Sequence, residues 1–198
     1  MNRIYLSLFI CVSFFITASG QCPSFSVSFS SQEDVDNFLI DYPFCTEYDG
    51  FVHIGTSVSD LSGLQNLTAI SGTFLITGNS NLTNLNGLEN LVSVGGDLNL
   101  INTTLTDLTA LANLTTIGDN VKIASNDSLT NLSGLENLGP INGDFTIEFN
   151  DGLTSLTNMT NLTSIGDDFN LIFNPALTSL DGLENLTYIG HKLSIEHD

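Results

Sequence analysis

The residues of this chain that could perform chemistry are mostly carboxylates. The 198-residue sequence contains 22 Asp and Glu, but only three His and three Lys or Arg. The histidines (His53, His191 and His197) lie far apart, and neither Gly-x-Ser-x-Gly nor His-Glu-x-x-His occurs. Two carboxylates can hydrolyse a glycosidic bond, yet no acidic pair departs from the repeat pattern described below. We therefore expect no enzyme activity and no catalytic residues.

Some of the carboxylates recur just before predicted strands, where they could bind calcium or cap turns. They are Asp97, Asp119, Asp144, Asp167 and Asp168. Calcium needs several carboxylate and carbonyl oxygens that converge on one point, and this spacing does not match calcium-binding nonapeptide repeats. We predict that these residues cap turns and that the protein has no metal or other cofactor. Calcium binding remains the alternative.

The N-terminus has the features of a secretory signal peptide at residues 1–20. Arg3 precedes an apolar run of 14 residues and the small residues Ala18-Ser19-Gly20. The run is shorter than the roughly 20 residues that span a bilayer. Cleavage after Gly20 is therefore expected. An uncleaved membrane anchor and a lipid attached to Cys22 are the alternatives.

Secretion sets expectations for the cysteines and the charge. Cys22 and Cys45 would both remain and form a disulfide in an oxidising compartment. Only Lys122 and Lys192 would then face the 22 acidic residues, for a net charge of about −20. Such a surface repels nucleic acid and anionic lipids. We expect a secreted, extracellular or cell-surface protein that binds no nucleic acid and does not insert into a membrane once the signal is removed.

A repeat of about 24 residues positions all the remaining candidates. Its anchor, Gly-Leu-x-Asn-Leu or a variant, recurs with spacings of 24, 23, 24, 24 and 24 residues. A period of this length with Leu at fixed offsets is typical of a solenoid of stacked coils. The sequence predicts a mainly β, right-handed, leucine-rich β-solenoid of about six coils over residues 50–198. A short helical cap tied by the disulfide precedes it at residues 21–49, with Ser31 at the N-terminus of the helix.

Each coil is expected to contribute one strand with two inward residues and one outward residue between them. We place the first strand at residues 51–54, with Phe51 and Ile54 matching the inward positions of later strands. Outward residues vary from coil to coil, so they form our candidate binding surface, the outer strand row. Its members are Leu75, Thr77, Asn99, Ile101, Lys122, Ala124, Thr146, Glu148, Asn170, Ile172, Ser194 and Glu196. Phe149 and Phe173 are left out because we expect them to stack inside a corner.

An Asn occupies the same anchor position in every unit: Asn66, Asn90, Asn113, Asn137, Asn161 and Asn185. Several lie in Asn-x-Thr glycosylation sequons, but Asn90 and Asn137 do not, so the repeat itself requires the Asn. We predict a structural ladder of side-chain amides bonded from coil to coil. A second Asn series, Asn79, Asn126, Asn150 and Asn174, follows the strands, with Asn102 near the short unit, where Asn would suit left-handed corners. Sequons on outward turns could carry glycans.

The run from Tyr42-Pro43-Phe44-Cys45 to Gly50-Phe51-Val52-His53-Ile54-Gly55, with Leu61-Ser62-Gly63-Leu64 after it, resembles the receptor L-domain family. That family includes ligand-binding lobes of the insulin and epidermal growth factor receptors, and secreted bacterial proteins share its repeat units. The resemblance covers nearly all of the chain after residue 20. It implies a right-handed leucine-rich β-solenoid with a Cys-containing cap and a binding role. It identifies no ligand and no binding residue.

We expect a non-catalytic recognition or adhesion module that binds an extracellular protein or a glycan. A structural spacer or surface-coat repeat is the alternative. Because the sequence stops one strand into a coil without a closing cap, either a fragment of a longer surface protein or end-to-end self-association is expected. An outward Thr row (Thr83, Thr106, Thr130, Thr154 and Thr178) leaves ice binding as a minor alternative.

Overall fold

A computed structural model describes residues 22–23 and 26–196. The predicted signal peptide at residues 1–20 and His197 lie outside the described residues. The elements in chain order are β1 (Val27–Ser31), α1 (Gln32–Asp41), β2 (Glu47–Tyr48), β3 (Val52–Ser57), β4 (Ala69–Ile70), β5 (Phe74–Thr77), β6 (Ser93–Val94), β7 (Leu98–Ile101), β8 (Thr116–Ile117), β9 (Val121–Ala124), β10 (Phe145–Glu148), β11 (Ser164–Ile165), β12 (Phe169–Ile172), β13 (Tyr188–Ile189) and β14 (Leu193–Glu196). Short 3₁₀ turns lie at Ser62–Leu64 and Thr109–Leu111.

The main sheet contains eight parallel strands in the order β1-β3-β5-β7-β9-β10-β12-β14. From β3 onward, each turn of the chain adds one strand, and equivalent residues pair in register, as Phe145 does with Phe169. This arrangement confirms the predicted β-solenoid with a repeat of about 24 residues. Period-two alternation explains which side chains enter the core: Phe74 and Ile76 are fully buried, whereas Leu75 between them is half-exposed.

A second side of the coil is built from two-residue strands. β2, β4, β6 and β8 pair in one sheet and β11 pairs with β13, with bridges at Ile141 joining the two sets. The second residue of each pair, such as Ile70 or Ile165, is buried, except in β13, where Ile189 is half-buried. A further side has no strand but contributes buried leucines such as Leu82 and Leu129. One continuous apolar core therefore runs along the axis of the stack.

The N-terminal end is covered by α1 and the Cys22–Cys45 disulfide, as predicted. Ser31 caps the helix, since its hydroxyl accepts a hydrogen bond from the Asp34 amide while the Asp34 carboxylate accepts one from the Ser31 amide. Val35 and Phe38 of the helix are buried, and the Phe38 ring meets that of Phe29 at 5.3 Å. The sequence analysis did not predict β1, which pairs with β3 and extends the main sheet into the cap.

Two details of the strands correct the sequence analysis. Val52, not Phe51, is the inward partner of Phe74, because β3 begins at Val52 and alternation then places Val52 and Ile54 in the core. The corners after β5, β7, β9, β10 and β12 are left-handed, as expected at Asn102, but at the other four the left-handed residue is the one before the predicted Asn. Positive φ falls on Gly78, Asn102, Ser125, Phe149 and Phe173. The following Asn residues are instead buried inside the corner.

Within the described part of the chain, no helix is both long enough and apolar enough to span a membrane.

Candidate functional site

The outer strand row forms two parallel columns on the outer face of the main sheet. In-register pairing places Leu75, Asn99, Lys122, Thr146, Asn170 and Ser194 in the first column. The same pairings place Thr77, Ile101, Ala124, Glu148, Ile172 and Glu196 in the second. With strands about 4.8 Å apart, six strands give a face about 24 Å long. The twelve predicted residues are therefore brought together on one surface.

The accessibility of this face is uneven. Nine of the twelve side chains are half-buried, and Glu196 is exposed. Ala124 and Ser194 are buried, at 2% and 5% exposure, so the expectation that they are accessible is wrong. They are the smallest side chains of the row, and the neighbouring backbone and larger side chains shield them. The contact surface consists of the other ten residues.

Polar side chains on this face are fixed by contacts between coils. The Lys122 ammonium lies 2.6 Å from the Glu148 carboxylate, and both side chains are partly exposed. Such a surface ion pair adds at most about 1 kcal/mol of stability. The Asn170 amide donates to the Thr146 hydroxyl at 3.4 Å. These contacts hold charged and amide groups in defined positions at the centre of the face.

The six anchor asparagines bond adjacent coils. Each donates its side-chain N–H to a backbone carbonyl about one coil earlier: Asn66 to Pro43, Asn90 to Gln65, Asn113 to Glu89, Asn137 to Ala112, Asn161 to Glu136 and Asn185 to Thr160. The distances lie between 2.7 and 2.9 Å. Because the contact recurs in coils with and without a sequon, these residues serve the fold.

Three of the five repeated aspartates accept hydrogen bonds from the next coil through their carboxylates. The Asp97 carboxylate accepts from the Asn120 amide at 3.0 Å, and Asp144 accepts from the Asp168 amide at 2.9 Å. In the same way Asp168 accepts from the Lys192 amide at 3.1 Å. Among the residues that the structure describes, no three His, Cys, Asp or Glu side chains converge on a point that could hold a metal ion.

One contact resembles part of a catalytic arrangement. The Ser28 hydroxyl lies 2.8 Å from His53 Nδ1, between β1 and β3 on the outer face. In serine hydrolases, the ring nitrogen that faces the serine takes its proton, while the other ring nitrogen is bonded to an acid that orients the ring. Here the other nitrogen, Nε2, is buried and has no hydrogen-bond partner. The Ser28–His53 contact therefore lacks the orienting acid, and it gives no support to nucleophilic catalysis.

The Thr row lies outside the main sheet, and all five of its residues are exposed. The Thr106 and Thr154 hydroxyls donate to the backbone carbonyls of Thr83 and Thr130, at 3.1 and 3.0 Å. Their donors are thus used between coils. This row provides a comparison surface for the experiments below.

Sequence reasoning missed an exposed aromatic pair beside the outer face. Phe149 and Phe173 stack with ring centroids 5.1 Å apart, as expected, but they do so on the surface, and Phe149 is 46% exposed. The left-handed backbone at both residues turns their side chains away from the core. The sequence carries a signal for this: two of the three equivalent positions hold Gly78 and Asn102, residue types that favour left-handed corners, and the third holds Ser125.

Comparisons with known protein families, with curated proteins and with solved structures found no match to this chain.

Proposed function

We propose that this protein is a secreted or cell-surface recognition module without catalytic activity, and that it binds an extracellular protein or glycan through the outer face of its main sheet. One observation carries the proposal. The inward columns repeat Val, Phe, Leu and Ile, whereas the outward columns in the same strands change from Leu to Asn, Lys and Thr. Packing constrains the first set and leaves the second free to specify a partner.

Three further features support this proposal. The face is about 24 Å long, and it combines apolar Leu75, Ile101 and Ile172 with polar side chains held in place. Interfaces commonly combine such apolar contacts with positioned polar groups. The Cys22–Cys45 disulfide fits an oxidising extracellular compartment. The resemblance of the cap and repeat to receptor L-domains adds a precedent for ligand binding on such a scaffold.

A structural spacer or surface-coat repeat is the second candidate. The observation that favours it is the number of polar side chains committed to bonds between coils, including all six anchor asparagines. A protein that serves only as a spacer needs this stability and no specific ligand. It would bind nothing saturably.

A ligand array separates the two candidates. The expressed chain, with its disulfide formed, would be applied to glycans and candidate extracellular proteins, with and without calcium. Circular dichroism would first verify that the chain is folded. We expect specific, saturable binding to at least one partner, with affinity unchanged by calcium removal.

Two outcomes would revise this proposal. If the folded protein binds no ligand on the array, the structural spacer is favoured. Binding that disappears with a calcium chelator would mean that the aspartates hold a metal at the binding surface.

A further inference from the structure

The corner beside the outer face carries phenylalanine where its backbone disfavours it. Phe149 and Phe173 have φ of 55° and 50°. Residues with a Cβ rarely adopt this left-handed conformation, and for a bulky residue it is a genuine outlier. The equivalent positions in earlier coils hold Gly78, Asn102 and Ser125. The chain therefore keeps two aromatic residues where smaller ones satisfy the same corner.

Backbone bonding does not explain the choice of phenylalanine. The amide of Phe149 donates to the Ile172 carbonyl at 3.0 Å, and that of Phe173 donates to the Glu196 carbonyl at 2.9 Å. The amides of Asn102 and Ser125 make the equivalent bonds to the next coil, at 2.8 and 3.0 Å. Stacking of coils thus requires the corner but not an aromatic side chain.

Burial explains the choice only in part. The rings contact each other at 5.1 Å with a tilt of 37°, which recovers some favourable aromatic contact. Phe149 nevertheless stays 46% exposed, while the core aromatics Phe145 and Phe169 are at most 1% exposed. An apolar pair with one exposed and one half-buried ring on a strained backbone is a feature that functional surfaces can have.

Acidic residues surround this pair. Glu148 precedes Phe149, and Asp151 follows it by two residues. Asp127 holds the place of Asp151 in the preceding coil, and both aspartates are exposed. Glu196 lies opposite Ile172 on β14. The nearby Lys122 is already paired with Glu148. That ion pair carries no net charge, so Asp127, Asp151 and Glu196 supply the negative charge on this side of the two rings.

We propose that the Phe149–Phe173 pair is the anchor point for a cationic segment of a partner protein, with an Arg or Lys side chain over the exposed ring. Aromatic faces attract cations through their quadrupole, and a guanidinium also stacks on them. The surrounding carboxylates complement the same charge. This inference rests on the proposed function and specifies the partner: a protein with an exposed basic segment.

The test uses an arginine-rich peptide as the probe, with a peptide of the same length carrying Glu in place of Arg as its control. Binding to the expressed, disulfide-bonded chain would be measured by fluorescence anisotropy at several salt concentrations. The test variant is Phe149→Asn/Phe173→Asn. The matched control is Phe44→Asn, which removes another exposed ring, 77% accessible, from the cap.

We expect the arginine peptide to bind and the glutamate peptide not to bind. The double variant should bind the arginine peptide about tenfold more weakly, whereas Phe44→Asn should leave the affinity unchanged. Equal affinity of parent and double variant would overturn the proposal, because general charge attraction would then account for binding. Salt-independent binding of a neutral oligosaccharide that depends on the two rings would also overturn it, in favour of a glycan.

Thermal unfolding distinguishes a binding role from a structural one. Because Asn tolerates the left-handed corner better than Phe, the double variant should keep or raise the Tm. A large fall in Tm would mean that the rings serve the fold, which contradicts the proposal. If the array identifies a partner whose binding the double variant does not weaken, this inference fails while the proposed function stands. If the folded protein binds no partner on the array, the proposed function and this inference are both contradicted.

Discussion

At the scale of single residues, buried asparagines provide the hydrogen-bond partners that polar backbone groups inside the corners need. Asn150 is fully buried; its side-chain N–H groups donate to the Ile123 carbonyl and the Asn174 side chain, both at 3.1 Å. Its side-chain oxygen accepts from the Asn126 amide at 3.0 Å. In the short coil, Thr103 replaces the asparagine and still donates its hydroxyl to Asn126. A polar partner is thus kept at this position.

We expect Asn150→Ala to lower the free energy of unfolding by about 3 kcal/mol, because buried backbone and amide groups lose their partners. Asn90→Ala, which removes a single exposed bond to the Gln65 carbonyl, should cost less than about 1 kcal/mol. Urea unfolding of the two variants would measure both values. If both variants lose the same free energy of unfolding, the buried corner asparagines do not contribute more than the exposed anchor asparagines, and this prediction is wrong.

Asp34 should give the cap a defined pH dependence. Hydrogen bonds from the Ser31 amide, then the Ser30 amide and the Ser31 hydroxyl, hold the pKa of Asp34 below its ordinary value of 3.8. A lowered folded-state pKa means that the stabilisation is fully present above pH 3.8 and is lost as the pH falls through the lower folded value.

Asp34→Asn should therefore lower the Tm above pH 3.8, and the difference from the parent should shrink at lower pH. Glu33→Gln removes a charge from the same helical turn but leaves the capping box intact. Its Tm should therefore differ less from that of the parent. Thermal melts followed by circular dichroism would measure both. If the Tm difference between Asp34→Asn and the parent stays constant as the pH falls, the ionised Asp34 carboxylate is not the source of the stabilisation.

At the scale of elements, four of the six units have glycine at the turn before the anchor Leu, where two coils approach closely, while Ala110 and Asn158 hold this position in the other two. Gly134 has φ of 110°, and a Cβ built there would lie 1.9 Å from the Leu108 carbonyl oxygen. Gly78, by contrast, has φ of 63° and only an ordinary contact, 3.7 Å, to the Thr56 methyl. The first glycine is required for both conformation and space, the second for conformation alone.

Gly134→Ala should accordingly destabilise the protein by about 3 kcal/mol or more, since the turn must move away from the preceding coil. Gly78→Ala should cost about 1 kcal/mol. Chemical denaturation of both variants would give the comparison. If the two substitutions cost the same, the close approach of the coils would not be what fixes glycine at position 134.

The repeat predicts most strands of the solenoid. The strand β1 and the outward position of Phe149 and Phe173 were not predicted, and each has a physical reason. Equal spacing of the anchors predicts parallel strands in register, and this places the outer strand row on one face. β1 was missed because it precedes the repeat, although Val27 and Phe29 do alternate with serines. Phe149 and Phe173 were placed inside because aromatic residues favour the core; the sign of φ, which hydrophobicity does not encode, directs them outward.

At the scale of the whole molecule, the two ends of the solenoid differ. The N-terminal end is closed by α1 and the disulfide. At the other end, inward-type residues are accessible: Leu193 is 47% and Ile195 44% exposed, and Tyr188 nearby is 60% exposed. Large exposed apolar patches commonly mark association sites. This end is where the two expected alternatives, end-to-end pairing of two copies or continuation of the solenoid in a longer protein, would bury these residues.

Sedimentation equilibrium tests end-to-end pairing. The parent should form dimers as its concentration rises, and Leu193→Glu/Ile195→Glu should stay monomeric because carboxylates would be buried at the contact. Ile40→Glu/Phe44→Glu, which places the same charges on exposed apolar residues of the cap, should dimerise like the parent. A parent that is monomeric at every concentration would contradict end-to-end pairing.

The central claim is that the outer face of the main sheet recognises a partner. Its most direct test is the equilibrium affinity of the first partner found by the array for Glu148→Ala/Asn170→Ala/Ile172→Ala, compared with Thr106→Ala/Thr130→Ala/Thr154→Ala on the exposed row outside the sheet. We predict that the first variant binds at least about tenfold more weakly, as truncation of central interface residues does, and that the second binds like the parent. Undiminished binding by the first variant would contradict the claim.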